Sequence, residues 1–170
     1  MKKIFILLFF LSFFNQAQSN ENLVDSLKKG GKLVFIRHAL APGGGDPDNF
    51  KLSDCSTQRN LNQDGIKQSK KIGFFFKKNK IPIDKVFSSE WCRCKDTAKY
   101  TFKNFKTFGA LNSFYSSKFE KNKNKQIRDL KKYISLWNGK DNLVFVTHYV
   151  VILEMLDIAP SSGEIVISDK

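Results

Sequence analysis

A three-layer α/β/α sandwich around a mainly parallel sheet is the fold this sequence predicts, and three observations predict it. Residues 33–38 read LVFIRH and residues 143–148 read LVFVTH, unbroken apolar runs of the kind that a strand buried on both faces requires. Runs like these alternate along the chain with stretches of helical period, the order of successive βα units. Beyond the two strand–histidine units there are no repeats and no low-complexity linker, so residues 20–170 are expected to form one domain.

The first stretch stands apart from that domain. Met1-Lys2-Lys3, the uncharged IFILLFFLSFF of residues 4–14 and Ala17-Gln18-Ser19 supply the charged, apolar and small-x-small parts of a secretory signal peptide, assigned to residues 1–19. The apolar run is too short for a membrane-spanning helix. A periplasmic or secreted protein without a transmembrane helix in its mature form is therefore expected.

Glu21 to Lys29 has the pattern of a short helix, stopped by Gly30-Gly31. Strand one is expected over Lys32 to Ile36. Ala39 to Leu61 has no period and carries APGGGDPD; a loop that long in a compact domain is usually functional. Asn62 can cap a helix running to Lys78, with Ile66, Ile72, Phe75 and Phe76 on one side. A second strand is expected over Lys85 to Ser88, a helix from Arg93 to Phe105, and a short strand within Lys106 to Leu111. A polar helix, Lys121 to Trp137, precedes the buried strand Leu143 to Thr147. A short helix from Val150 to Leu156 and a strand from Glu164 to Ser168 close the chain.

The formal charge is +13, and about +11 without Lys2 and Lys3, which favours anionic partners. Lysines are spread along the whole chain, and no dense basic stripe interleaved with aromatics marks a specific nucleic-acid surface. Arginine is the more selective signal: only Arg37, Arg59, Arg93 and Arg128 occur, beside 25 lysines. A planar guanidinium where lysine would serve for bulk charge points to bidentate grip on phosphate or carboxylate. Arg128, inside the charged helix, reads as a solvated side chain.

His38 and His148 are the only histidines, and each ends an apolar strand. Ligands of parallel sheets sit outside the carboxyl ends of the strands, so the two are expected at one site. An Arg-His pair at a strand end offers a phosphoryl group both a nucleophile and a fixed positive donor. Cys55, Cys92 and Cys94 lack the CxxC spacing of a structural zinc site, and no metal or other cofactor is expected.

FIRHA at 35–39, QRNLNQDG at 58–65, SSEWCRCKDTA at 88–98 and VTH at 146–148, in this order, resemble the histidine phosphatase superfamily, also called phosphoglycerate mutase-like. The R-x-L-x-x-x-G element at 59–65 and the short chain are most similar to the small phosphohistidine-phosphatase type. The resemblance implies a metal-independent phosphatase with His38 as nucleophile and a phosphohistidine intermediate. Arg37, Arg59, Arg93 and His148 would form its phosphate pocket, with Arg37, Arg93 and His148 also catalytic.

The resemblance further implies a small phosphorylated substrate, such as an envelope sugar phosphate or a lipopolysaccharide phosphate. It also implies a disulfide from Cys55 to Cys92 or Cys94, because arginines next to these cysteines would share one phosphate. Two departures from the family pattern matter. Ala39 replaces the glycine after Arg-His, and Tyr149 follows His148 where one branch has an acidic aspartate. The other branch's glutamate position holds Asn112 and Ser113, which leaves Glu120, Glu164 and Glu90 as candidate general acids. The alternative is a non-catalytic module that holds a phosphorylated ligand. Residues 42–54, 111–123 and 160–164 are expected to line the mouth of the site.

Overall fold

The structure, a computed structural model, describes residues 23–170. The proposed signal peptide, 1–19, lies outside the described residues.

Five strands form one sheet: β1 (Leu33–Arg37), β2 (Ile83–Ser88), β3 (Lys106–Thr107), β4 (Asn142–Thr147) and β5 (Ile165–Ser168). Their order is β3-β2-β4-β1-β5, with β5 antiparallel to β1 and every other pairing parallel. The helices are α1 (23–29), α2 (Gln63–Lys78), α3 (Cys92–Phe102), α4 (Ser117–Glu120), α5 (Lys123–Leu136) and α6 (Tyr149–Leu156).

The three layers follow from the period of two in the central strands. Leu33 and Phe35 of β1, with Leu143 and Phe145 of β4, pack on one face against Leu130 and Ile134 of α5 and Ile152 of α6. Val34 and Ile36, with Val144 and Val146, pack on the other face against Leu27 of α1, Ile72 and Phe76 of α2 and Ala98 of α3. An apolar residue at every position is what a strand with two covered faces needs, and that is why LVFI and LVFV are unbroken.

Some boundaries differ from the sequence expectation. The expected strand within 106–111 is two residues of β3 followed by a 3-10 turn, Gly109–Leu111. The polar helix begins at Lys123, because Ser117–Glu120 forms a separate short turn of helix before it. The helix expected to Phe105 ends at Phe102, where Lys103 takes a positive φ of 66° and breaks the period.

A cap and one close approach fix the start of α2. Asn62 caps it by accepting from the Gly65 amide at 2.8 Å. A Cβ on Gly65 would overlap the Leu40 carbonyl, so glycine lets α2 press against the loop that leaves β1. Ala39, fully buried in that loop, keeps an ordinary backbone conformation, and its amide donates to Thr97 Oγ1 on α3 at 2.9 Å.

Asn142, wholly buried at the start of β4, ties three segments together. Its Nδ2 donates to the Leu27 and Pro82 carbonyls, both at 2.7 Å, and its Oδ1 accepts from the Lys32 amide at 3.2 Å. Asn142→Ala leaves buried backbone groups unpaired and is expected to destabilise the fold by about 2–4 kcal/mol in urea unfolding.

Candidate active site

The register of β1 against β4 builds the site. Arg37 pairs with Thr147, and the His38 amide donates to the Thr147 carbonyl at 2.9 Å. His38 and His148 therefore leave neighbouring strands at the same level, and their rings meet edge to face with centroids 5.5 Å apart. β2 ends beside them, where the Ser89 amide donates to the Val146 carbonyl at 2.9 Å.

A cavity of about 330 Å³ opens at these three strand ends. Arg37, His38, Arg59, Arg93 and His148 all line it, so the five residues expected at one site from the sequence stand there together. Each arginine arrives from a different element: Arg37 from β1, Arg59 from the long loop before α2, and Arg93 from the first turn of α3. Arg37 is held by the Pro160 carbonyl, 2.8 Å from Nη1, and Arg59 donates to the Ala41 carbonyl. The Nε atoms of all three are buried without a hydrogen-bond partner.

Burial among these cations decides the state of the imidazoles. Burial first, and the charge of Arg93 next, push the His38 pKa down to about 3, so the ring is neutral at pH 7. The Ala39 carbonyl, 2.9 Å from Nδ1, can only accept, which puts the ring proton on Nδ1 and the lone pair on Nε2.

For His148 the tautomer follows from a chain of obligatory donors. The Glu90 amide donates to Asn112 Oδ1 at 2.9 Å, which fixes that atom as oxygen. Ser89 Oγ lies 3.1 Å from the same oxygen and must donate to it. Having used its one proton, Ser89 accepts from His148 Nε2 at 2.9 Å. Neutral His148 thus carries its proton on Nε2 and its lone pair on Nδ1. Burial, and then Arg93, hold its pKa well below the usual value.

Comparison with known proteins places this geometry. No protein-family model matches the chain, and no curated protein sequence matches it. Solved structures do. The protein histidine phosphatase SixA complexed with tungstate is 17% identical, with a TM-score of 0.55 over 80% of this chain and 86% of that one. The chain has the histidine phosphatase fold. A phosphoserine phosphatase mutant from Entamoeba histolytica in complex with phosphoserine is 18% identical, with a TM-score of 0.54 over 80% of this chain and 89% of that one. A mycobacterial glucosyl-3-phosphoglycerate phosphatase in complex with VO3 is 11% identical, with a TM-score of 0.57 over 80% of this chain and 91% of that one.

Within this histidine phosphatase fold, Cys55 is bonded to Cys92, with Cα atoms 5.7 Å apart, and Cys94 is the free, buried thiol. The bond clamps the loop that carries Arg59 to the start of α3. Closing a segment of 37 residues in the unfolded chain is worth on the order of 4 kcal/mol. Cys94 Sγ lies 3.6 Å from the Thr147 carbonyl and 3.5 Å from His148 Nε2, and burial pushes its pKa up to about 12. A thiol held protonated in this way is a poor nucleophile.

The three glutamates singled out as acids do not line the cavity. Glu90 accepts from Asn112 Nδ2 at 2.6 Å, behind Ser89; Glu164 accepts from the Ser161 amide at 2.6 Å; and Glu120 is exposed at the end of α4. Residues 160–164 likewise stay outside the lining and act through the Pro160 carbonyl on Arg37.

The residue missed from the sequence is Asp46, in the GGGD turn. Its carboxylate accepts from Arg93 Nη1 at 2.7 Å, from Trp91 Nε1 at 3.1 Å and from the Arg59 amide at 3.1 Å. Burial works against its ionisation, but Arg93, the Arg59 amide and Trp91 together outweigh burial and hold the carboxyl below the usual range. Its only sequence signal was an acid inside a glycine-rich loop next to the motif.

Because His38 titrates near 3 in the native state and near 6.5 when unfolded, the unfolded chain binds more protons between these values. Stability is expected to fall as pH drops from about 6.5 toward 3, with a shallower fall in His38→Asn, read as urea midpoints across pH.

Proposed function

We propose that the protein is a phosphatase that hydrolyses a phosphomonoester or phosphoramidate without a metal, through a phosphohistidine on His38. The observation that carries this reading is a neutral imidazole with its lone pair on Nε2, facing a cavity that three guanidiniums line. A tetrahedral oxyanion is the partner this donor set lacks. Asp46 already shows where an anionic oxygen is held in this site, on Arg93 Nη1 at 2.7 Å.

In the proposed reaction His38 Nε2 attacks phosphorus, the bond from phosphorus to the leaving group breaks, and the departing atom is protonated. Water then attacks the phosphohistidine, the phosphorus–nitrogen bond breaks, and orthophosphate leaves. Arg37, Arg59 and Arg93 spread positive charge around the three equatorial oxygens. His148, with its Nε2–H committed to Ser89, offers the Nδ1 lone pair, which shares the proton that a phosphate monoanion itself brings to the site. Among the described residues no group of three or more His, Cys, Asp and Glu is arranged to hold a metal ion.

With Glu90, Glu120 and Glu164 outside the cavity and Asp46 held ionised by Arg93, Asp48 on the rim and water are the remaining proton sources for the leaving group, which favours groups that depart without strong acid assistance, phosphoramidates among them. The same placement supports a second reading, a module that binds a phosphorylated ligand without turnover. A periplasmic or secreted location is part of the proposal, supported by the signal-like residues 1–19 and by a disulfide that needs an oxidising compartment.

Hydrolysis of p-nitrophenyl phosphate is expected to survive excess chelator and to be lost in His38→Ala, with acid-labile phosphate on His38 after a rapid quench. Arg93→Ala should lower kcat/KM roughly ten- to a hundredfold, the worth of one charge-assisted contact. Tight phosphate binding with neither turnover nor label would favour the binding module.

A further inference from the structure

The walls of the cavity differ in character from its floor. Apart from Pro47, no lining side chain is aliphatic; the apolar lining is made of aromatic rings. Phe50, Trp91 and Phe119 come from three separate segments and form a triangle with centroids 5.2, 5.7 and 5.4 Å apart. Trp91 also stands edge-on to His148 at 5.4 Å, so this wall begins one ring away from the phosphate floor. Tyr115 and Tyr149, in the same lining, lie 5.9 Å apart, and the Arg37 guanidinium sits 5.4 Å over the Tyr149 ring.

Trp91 is buried at the edge of the core that α1, α2 and α3 share with the sheet, and Phe50 and Phe119 pack against that core while also lining the cavity. Tyr115 is 65% exposed, and Phe50, Phe119 and Tyr149 are only half-buried, so these rings keep apolar faces at the mouth of a polar site. Aromatic faces and edges read a flat π-system through stacking and edge-to-face geometry, which an aliphatic group of equal size does not reproduce. The rim adds Lys118 and the carboxylates of Asp46 and Asp48, so the charge beside the wall is mixed.

Resting on the phosphate-site reading above, we infer that the site takes phosphomonoesters whose leaving group carries an aromatic ring within a few bonds of phosphorus. An aryl or benzyl ester and a nucleoside monophosphate share this chemistry. The phosphate lies on Arg37, Arg59 and Arg93, and the ring enters between the Phe50–Trp91–Phe119 wall and the two tyrosines.

The test uses ligands that need no turnover. Calorimetry compares benzylphosphonate with cyclohexylmethylphosphonate, which match in charge and nearly in size but differ in aromaticity. Benzylphosphonate is expected to bind about tenfold more tightly, each good ring contact being worth roughly threefold to tenfold. That preference should shrink to less than about threefold in Phe119→Ala and in Tyr115→Ala, while inorganic phosphate binds all three proteins alike. Tyr115 is exposed enough for its variant to fold if Phe119→Ala does not. Adenosine 5′-phosphate against ribose 5-phosphate then decides whether the ring sits next to the ester or further out. Equal affinity for the two phosphonates, or a preference untouched by Tyr115→Ala, overturns the aromatic site. Failure to turn over p-nitrophenyl phosphate overturns the catalytic reading instead and leaves the phosphonate comparison intact.

Discussion

The parallel pairing of β1 with β4 is the constraint on which the rest of the site depends. Arg37 stands opposite Thr147, so the two histidines emerge at one level from strands about 5 Å apart. A slip of one residue would exchange the faces of every β4 side chain, turning Val144 and Val146 away from the α1–α3 layer and His148 away from His38. The burial of both strands on both faces holds this register. The same apolar residues that stabilise the sheet thus set the position of a polar site at its end.

Bringing three guanidiniums to one cavity carries an electrostatic penalty, and several features of the fold answer it. Both histidines are neutral, so they add no charge of their own. Asp46 pairs with Arg93 at 2.7 Å, and the Ala41 and Pro160 carbonyls accept hydrogen bonds from Arg59 and Arg37. The Cys55–Cys92 bond keeps the Arg59 loop from moving away from α3 under that repulsion. Positive donors held in place before a ligand arrives need no reorganisation to receive it.

The supports of the two histidines differ, and so do their chemical capacities. His38 rests on one backbone carbonyl and turns a bare nitrogen toward the cavity. His148 rests on a side-chain chain through Ser89 and Asn112, which ends on the amide and carboxylate of Glu90. Glu90 therefore acts at a distance, by fixing Asn112, rather than on anything inside the cavity.

Much of this protein was already determined by local sequence. The LVFIRH and LVFVTH runs read as doubly buried strands, the rarity of arginine separated Arg37, Arg59 and Arg93 from the lysine background, and Asn62 marked the start of α2. These signals survive in one dimension because they rest on period, backbone permission or residue choice at a single position. Tertiary structure alone decided the rest. Whether Cys92 or Cys94 meets Cys55 depends on which way successive residues of α3 face, and Cys94 turns into the core. Asp46 finds Arg93 across 47 residues, and Asn112 reaches Ser89 across 23, contacts that no local pattern encodes. The aromatic wall is likewise assembled from three distant segments, and the glutamates that a linear reading favoured as acids point elsewhere. A side chain's chemistry can be read from its type, but its partner is set only when the chain closes on itself.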